Sequence, residues 1–411
     1  MRYLHSKIVF ALLLILSALA LPACGKRGAD SSYGDTIEVA PVEISRDSAL
    51  YPESGFLQGV SGAFGGVIGD TYIYGGGCNF PDIPVADGGK KVFYKSLYML
   101  SGEGDVWETT LLSSLPRSLA YGASVSLGGG DMLLFVGGVG EEGASNEITM
   151  LSKIGSSGEI TISKYPFSLP FGWYEGAAAE HEKTLYFTGG WKDGELVTDL
   201  YAFSLRSGET TKVIPLPDGA RLQPNLFTID GYLFLFGGFF PGGDIRIPGE
   251  EPRVHRTAWK LNLSSPKRWE PLKEPRTGSD TPLSFIGATV AKDDVSGAVY
   301  SVGGVNPSLF QEAISRGYLL KKALAAQDAD AEGRLREEQR SYLLHPESYY
   351  RFSSALVRYD HRKDDWKVLK DSGIFATAGS VLIAKEKRLM QIGGERKPGI
   401  RTFDAYICSM E

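Results

Sequence analysis

Apolar residues along this chain come in short runs, and six of those runs stop at a double glycine: Gly76-Gly77, Gly137-Gly138, Gly189-Gly190, Gly237-Gly238, Gly303-Gly304 and Gly393-Gly394. The runs are 71–74, 132–136, 184–188, 232–236, 298–302 and 388–392, each rich in Val, Ile, Leu, Tyr or Phe. Short apolar runs closed by turn formers read as strands. Their spacing of roughly 50 residues, stretched by insertions, is the kelch period. Each unit also carries a small-residue strand before the glycine strand and an aromatic-rich pair after it. In the fourth unit these fall at 225–229, 232–238, 257–262 and 268–272. Four antiparallel strands per unit, repeated six times, predict an all-β fold: a six-bladed kelch-type β-propeller.

The sixth unit lacks a fourth strand after 402–408, and the alternating stretch 36–44 can supply it, closing the ring and covering an exposed edge. Strand parity places the loops between second and third strands on one face. Those loops are long at 78–94, 239–254 and 305–352, while the opposite loops are short. One face is therefore elaborated, and the central mouth beneath it is the expected binding site. The longest insertion, 307–350 in blade five, has helical spacing, with breaks expected near Gly333 and Pro346. It can be a partial lid, a surface embellishment or a dimer contact.

Residues 1–24 read as an export signal, with Arg2 and Lys7 ahead of an apolar segment and Leu21-Pro22-Ala23-Cys24 resembling a lipoprotein cleavage box. On that reading Cys24 is lipidated and the protein is exported, periplasmic or outer-membrane-associated; ordinary cleavage near Ala23 is the alternative. Residues 25–35 have the composition of a flexible tether, leaving 36–411 for the propeller. Cys78 and Cys408 read as buried free thiols. A net charge of −6 argues against nucleic acid as the main partner. An anionic ligand would need local cations.

The chemically richest loop is 393–401, Gly-Gly-Glu-Arg-Lys-Pro-Gly-Ile-Arg, in which Glu395 and Arg401 project from blade six on the elaborated face. Asn79 and Lys91 from blade one, Tyr121 leading into blade two and Arg221 leading into blade four join that face. A guanidinium matches a carboxylate, and a nearby carboxylate can accept a proton. These residues suit a small acidic molecule that needs a proton moved; a structural salt bridge between Glu395 and Arg401 explains the same pair. Beyond His5 in the signal, the histidines His181, His255, His345 and His361 are scattered and each reads as a surface or loop residue. No metal cluster or phosphate-binding glycine loop is visible, so no cofactor is expected.

The 394–401 loop, the Gly303-Gly304-Val305-Asn306 turn with its helical insertion, and Ala120-Tyr121-Gly122 together resemble the kelch-propeller sialic acid mutarotases, or N-acetylneuraminate epimerases. The segment order resembles a cyclically permuted branch, in which 76–82 and 88–91 lie near the N-terminus and the Glu395 loop comes last. The resemblance implies an isomerase that interconverts α and β anomers of N-acetylneuraminate or a related sugar acid. It places the proton acceptor at Glu395 and the substrate-binding arginine at Arg401, and implies no redox cofactor or metal. The alternatives are a noncatalytic, membrane-tethered carbohydrate- or protein-binding propeller, and a hydrolase or lyase on the same scaffold.

Overall fold

The computed structural model describes residues 37–410 except 104–105, 155–157 and 278–280. The signal, Cys24 and the tether expected before residue 36 lie outside the described residues. Six antiparallel sheets form the blades of a propeller, each of four strands, with a short fifth strand, Glu195–Leu196, added in blade three. Their innermost strands are Phe64–Ile68, Ala123–Leu127, Trp173–His181, Asn225–Ile229, Thr289–Lys292 and Val381–Lys385. In blade six the outermost strand is Ile37–Val42, which pairs antiparallel with Ala405–Met410 in the register Ile37 to Met410 through Val42 to Ala405. The first described strand is thus hydrogen-bonded to the last.

Blades pack face to face through large apolar side chains. Phe227, Phe234, Phe236, Tyr359 and Trp366 form one such seam between blades four and five. Another joins blades six and one through Tyr51, Phe56, Tyr74, Tyr98 and Phe403. Period-two alternation turns successive residues of each strand to opposite neighbours, which is why both faces of a blade are apolar.

The double glycines end the second strands because the chain turns there through the left-handed region. At Gly393 and Gly394 φ is +63° and +99°. A Cβ on Gly394 would lie 2.9 Å from that of Ser380. Only glycine meets both demands.

Blade five carries the helical insertion. Helix α1 (Pro307–Ala326) is capped by Asn306, whose side chain accepts from the Ser308 and Leu309 amides. Helix α2 (Ala329–Leu344) is capped by Asp328 through the Ala331 amide, and α3 is the short Glu347–Tyr350. The first break falls at Gln327, in left-handed conformation at φ +55°, rather than near Gly333. Gly333 sits inside α2 with open space beside it. A glycine there costs the helix only about 1 kcal/mol, less than the Asp328 cap and the packing of α2 return.

The insertion is tied to the rims of three other blades. Gln311 bonds the backbone of Pro252 and Val254 on blade four, each at 2.9 Å. Arg340 meets Asp87 of blade one at 3.1 Å, and Lys397 of blade six donates to the His345 carbonyl at 2.7 Å.

Ile37 and Val42 are the buried residues of the closing strand. Truncating both to alanine is expected to destabilise the propeller by about 2–5 kcal/mol, read as a lower urea midpoint.

Candidate functional site

Two rings of equivalent positions surround the mouth. The first is Gly62, Tyr121, Glu175, Gln223, Gly287 and Gly379, two residues before the innermost strand in five blades and near the start of Trp173–His181 in blade three, all in left-handed conformation with φ between +50° and +65°. Their backbones bond around the axis. The amide of Tyr121 donates to Gly62, Glu175 to Tyr121, Gln223 to Glu175, Gly379 to Gly287 and Gly62 to Gly379, at 2.7–3.0 Å. Three of the six are not glycine, and a left-handed backbone costs such residues about 1 kcal/mol or more each.

The second ring is the residue after each double glycine: Cys78, Val139, Trp191, Phe239, Val305 and Glu395. Each returns to pair with the segment just ahead of a first-ring residue, as in Cys78 with Ser61, Val139 with Ala120, Phe239 with Leu222 and Ala378 with Glu395. Tyr174 pairs with Trp191 in the same way, and the Val305 amide donates to Ile286. Five blades place Cys, Val, Trp, Phe and Val here. Blade six places a carboxylate.

Beneath the rings lies a central cavity of about 480 Å³. Small residues such as Gly65, Gly66, Ala123, Ala177, Ala178 and Ala288 keep it open. Tyr121, Glu175, Gln223 and Glu395 stand at its mouth, with Phe310 from α1 beside them.

Glu395 Oε1 accepts from Arg401 Nη1 at 2.6 Å and from the Gly399 amide at 2.7 Å. The tight turn dictated by Pro398 and Gly399 brings that amide back onto the carboxylate. Oε2 makes no hydrogen bond to any described residue. The Arg401 side chain is 4% exposed, bonds Ser61 Oγ at 3.1 Å and lies 5.2 Å from the centre of the Phe80 ring. Burial works to lower its pKa, but Glu395 and then Tyr121 outweigh it and the pKa is raised. Arg401 is a fixed cation behind Glu395.

Tyr121 Oη accepts from Lys91 Nζ at 3.2 Å and from Cys78 Sγ at 3.3 Å. Its own O–H is left to donate. Burial holds the phenol well above its usual range, so it stays protonated. Cys78 and Cys408 are both buried free thiols.

Of the six residues singled out from the sequence, Glu395 and Tyr121 line the cavity, and Arg401 and Lys91 back them. Asn79 and Arg221 do not join them. Asn79 Nδ2 donates to the carbonyls of Gly55 and Gly59, each at 2.8 Å, and Oδ1 accepts from Tyr94. It pins the blade-one loop. Arg221 is fully buried; it donates to the Gly237 carbonyl at 2.9 Å and pairs with Asp218 at 3.4 Å. Burial lowers its pKa to about 10. A polar type at a loop position suggested recognition for both, whereas the loops use them as internal braces. His255, read as a surface or loop residue, is buried beside Arg221 with Nε2 3.3 Å from the Ala220 carbonyl.

Glu175 was not singled out from the sequence. Oε2 accepts from Trp191 Nε1 at 3.2 Å and Oε1 from Gln223 Nε2 at 3.5 Å. Burial raises its pKa, with Lys91 the main opposing influence. The signal was available: Glu175 precedes Gly189 by the same fourteen residues that separate Gly62 from Gly76 and Gly379 from Gly393. Among the described residues no group of His, Cys, Asp and Glu is arranged to hold a metal ion.

The family model described as N-acetylneuraminate epimerase matches residues 165–411. N-acetylneuraminate epimerase 1 of Escherichia coli O6:H1 is 27% identical over 216 residues, 52% of this chain and 52% of that protein. N-acetylneuraminate epimerase of Pasteurella multocida is 28% identical over 250 residues, 58% of this chain and 57% of that protein. The chain spans little more than half the length of these curated relatives. The solved structure of YjhT superposes with a TM-score of 0.54 over 84% of this chain and 94% of that one, at 15% identity, a likeness of fold.

Burial, and then the Arg221 cation, push the pKa of His255 from 6.5 down to about 3. The unfolded chain therefore takes up a proton below pH 6.5 that the folded protein refuses, and stability contributed above that pH is lost on acidification. His255→Gln is expected to flatten the fall in stability between pH 7 and 5 by about 2 kcal/mol, measured by urea unfolding at each pH.

Proposed function

The chain belongs to the N-acetylneuraminate epimerase family, and from that premise we propose that it is an isomerase interconverting the α and β anomers of N-acetylneuraminate or a closely related sugar acid. The observation that carries this reading is Glu395 itself. At the second-ring position it stands where the other blades place Cys, Val, Trp, Phe and Val, with one carboxylate oxygen held by a guanidinium and a backbone amide, the other without a hydrogen bond to any described residue, and the side chain lining the cavity.

Anomer exchange requires the ring hemiketal to open, rotate and reclose. Glu395 is the base that takes the proton of the anomeric hydroxyl. Arg401 fixes it in direction through a short charge-assisted hydrogen bond. The family loop assigns Arg401 to the substrate carboxylate. Here it is enclosed, so its contribution is positive potential at the wall, joined by Lys91 and by the Tyr121 hydroxyl that Lys91 orients. This agrees with an anionic sugar entering a mouth that also contains carboxylates.

We read the blade order as cyclically permuted relative to other family members. A match limited to residues 165–411, and to little more than half of each relative, is what a rotated order leaves in a collinear comparison. Export and lipidation at Cys24 remain part of the proposed picture, with mass spectrometry of the mature N-terminus as their test.

Wild-type protein is expected to accelerate anomer exchange of N-acetylneuraminate in NMR saturation transfer above pH-matched buffer. Glu395→Gln, which keeps shape but cannot take the proton, is expected to lose about 10²–10⁴-fold of that acceleration. An unchanged rate in this variant would remove Glu395 from the chemistry.

A further inference from the structure

Ring opening leaves a second proton unaccounted for. When the anomeric oxygen becomes a carbonyl and the bond from the anomeric carbon to the ring oxygen breaks, the ring oxygen must gain a proton. Glu395 and Arg401 do not supply one: the first is the acceptor and the second does not deprotonate.

Among the residues at the two mouth rings, Glu175 is the other carboxylate besides Glu395. It stands on blade three and Glu395 on blade six, half a turn apart in a ring of six blades. In blade six a second-ring carboxylate is bound by an arginine. In blade three a first-ring carboxylate is bound by the second-ring Trp191 and by the neighbouring first-ring Gln223. No cation hydrogen-bonds or ion-pairs with Glu175 among the described residues. A left-handed backbone at φ +55°, where three of the other five blades use glycine, points its side chain at the cavity.

We propose that Glu175 is the catalytic acid that protonates the ring oxygen, working across the mouth from Glu395. The inference rests on reading Glu395 as the base of a mutarotase. In the opening step Glu395 takes the anomeric hydroxyl proton, that O–H pair becomes the carbonyl, and the ring C–O pair leaves onto oxygen, which takes the Glu175 proton. After rotation, the released hydroxyl attacks the other face of the carbonyl and returns its proton to Glu175, while the carbonyl oxygen recovers the one on Glu395. Both carboxyls end as they began, and nothing is oxidised or reduced.

Electrostatics supports the assignment. Lys91 from blade one favours the ionised form of Glu175, while Tyr121 from blade two, Tyr174 beside it, Trp191 and Gln223 bring no charge at neutral pH. Burial prevails and raises the pKa, so Glu175 holds its proton further toward neutrality than an ordinary glutamate. An ionised Glu175 would also repel an anionic sugar.

The test is the pH profile of anomer exchange in wild type, Glu175→Gln and Trp191→Phe, together with the infrared band of a protonated carboxyl in the protein without sugar. Wild type should lose rate as pH rises through the Glu175 titration. Glu175→Gln should lose about 10²–10⁴-fold of the acceleration and, with it, that basic limb. Trp191→Phe removes a donor that favours the ionised form and should move the limb to higher pH, which a merely structural Trp191 would not do. A protonated-carboxyl band in wild type that is missing from Glu175→Gln supports the inference without reference to any substrate. An active wild type whose Glu175→Gln variant keeps its rate and its basic limb would overturn this inference and leave the mutarotase reading standing. A wild type that does not accelerate exchange would overturn both.

Discussion

Backbone hydrogen bonds from the first-ring amide of five of the six blades to the carbonyl of the blade before set the geometry on which the rest of the molecule depends. These bonds run between blades at the axis, where the innermost strands converge and side chains have least room. They require a left-handed residue at each of the six positions. Glycine meets that requirement without strain, and blades five, six and one use it. Blades two, three and four accept the strain of Tyr121, Glu175 and Gln223, and all three line the central cavity. Strain retained at a shared position in half of the blades marks the half that carries side-chain function.

The step from Gln223 to Gly287 is the one the ring does not bridge among the described residues, and it falls beside the docking site of α1. There Leu222, Phe239 and Ile286 form a small apolar cluster against which Val305, Phe310 and Ile314 pack. Packing by α1 takes over where the backbone bonding lapses. The same insertion brings Phe310 to the cavity and, through Lys397 and Arg396, grips the loop that presents Glu395. A surface embellishment would not need both contacts. The insertion fixes the Glu395 turn from outside, while Arg401 and the Gly399 amide fix it from within.

The fold was legible because its signals are periodic. Six double glycines after six apolar runs state the blade count, and alternation in the flanking strands states how blades pack. Chemistry was legible only where residue types were unusual for a turn, as in the Glu395 loop. Asn79 and Arg221 misled because a polar residue in a long loop has two uses, recognition or bracing of that loop's own carbonyls, and sequence does not show which groups fall within reach. His255 lies in a loop, one of the two places read for it, but is buried there. Glu175 was missed for the opposite reason: it sits in an ordinary-looking strand start, and its meaning comes from comparison with the aligned position in other blades. Reading the residue fourteen before each double glycine, or the one just after it, would have brought out both carboxylates.

A near-symmetric scaffold makes function a matter of departures from symmetry. Six blades can supply six copies of one residue around an axis, which suits a metal or a symmetric ligand. The proposed ligand, a sugar acid, is neither. It presents a carboxylate, an anomeric hydroxyl and a ring oxygen on different sides, and needs a different group for each. On the proposed reading the mouth meets that need by breaking its own repeat at few places: cations behind the wall near blades six and one, a paired carboxylate in blade six, and a cation-poor carboxylate half a turn away. Two carboxylates that were both ionised would repel an anionic substrate and one another. One is held by an arginine and the other only by neutral donors in a buried setting that raises its pKa, the asymmetry on which the proposed division into proton acceptor and proton donor rests.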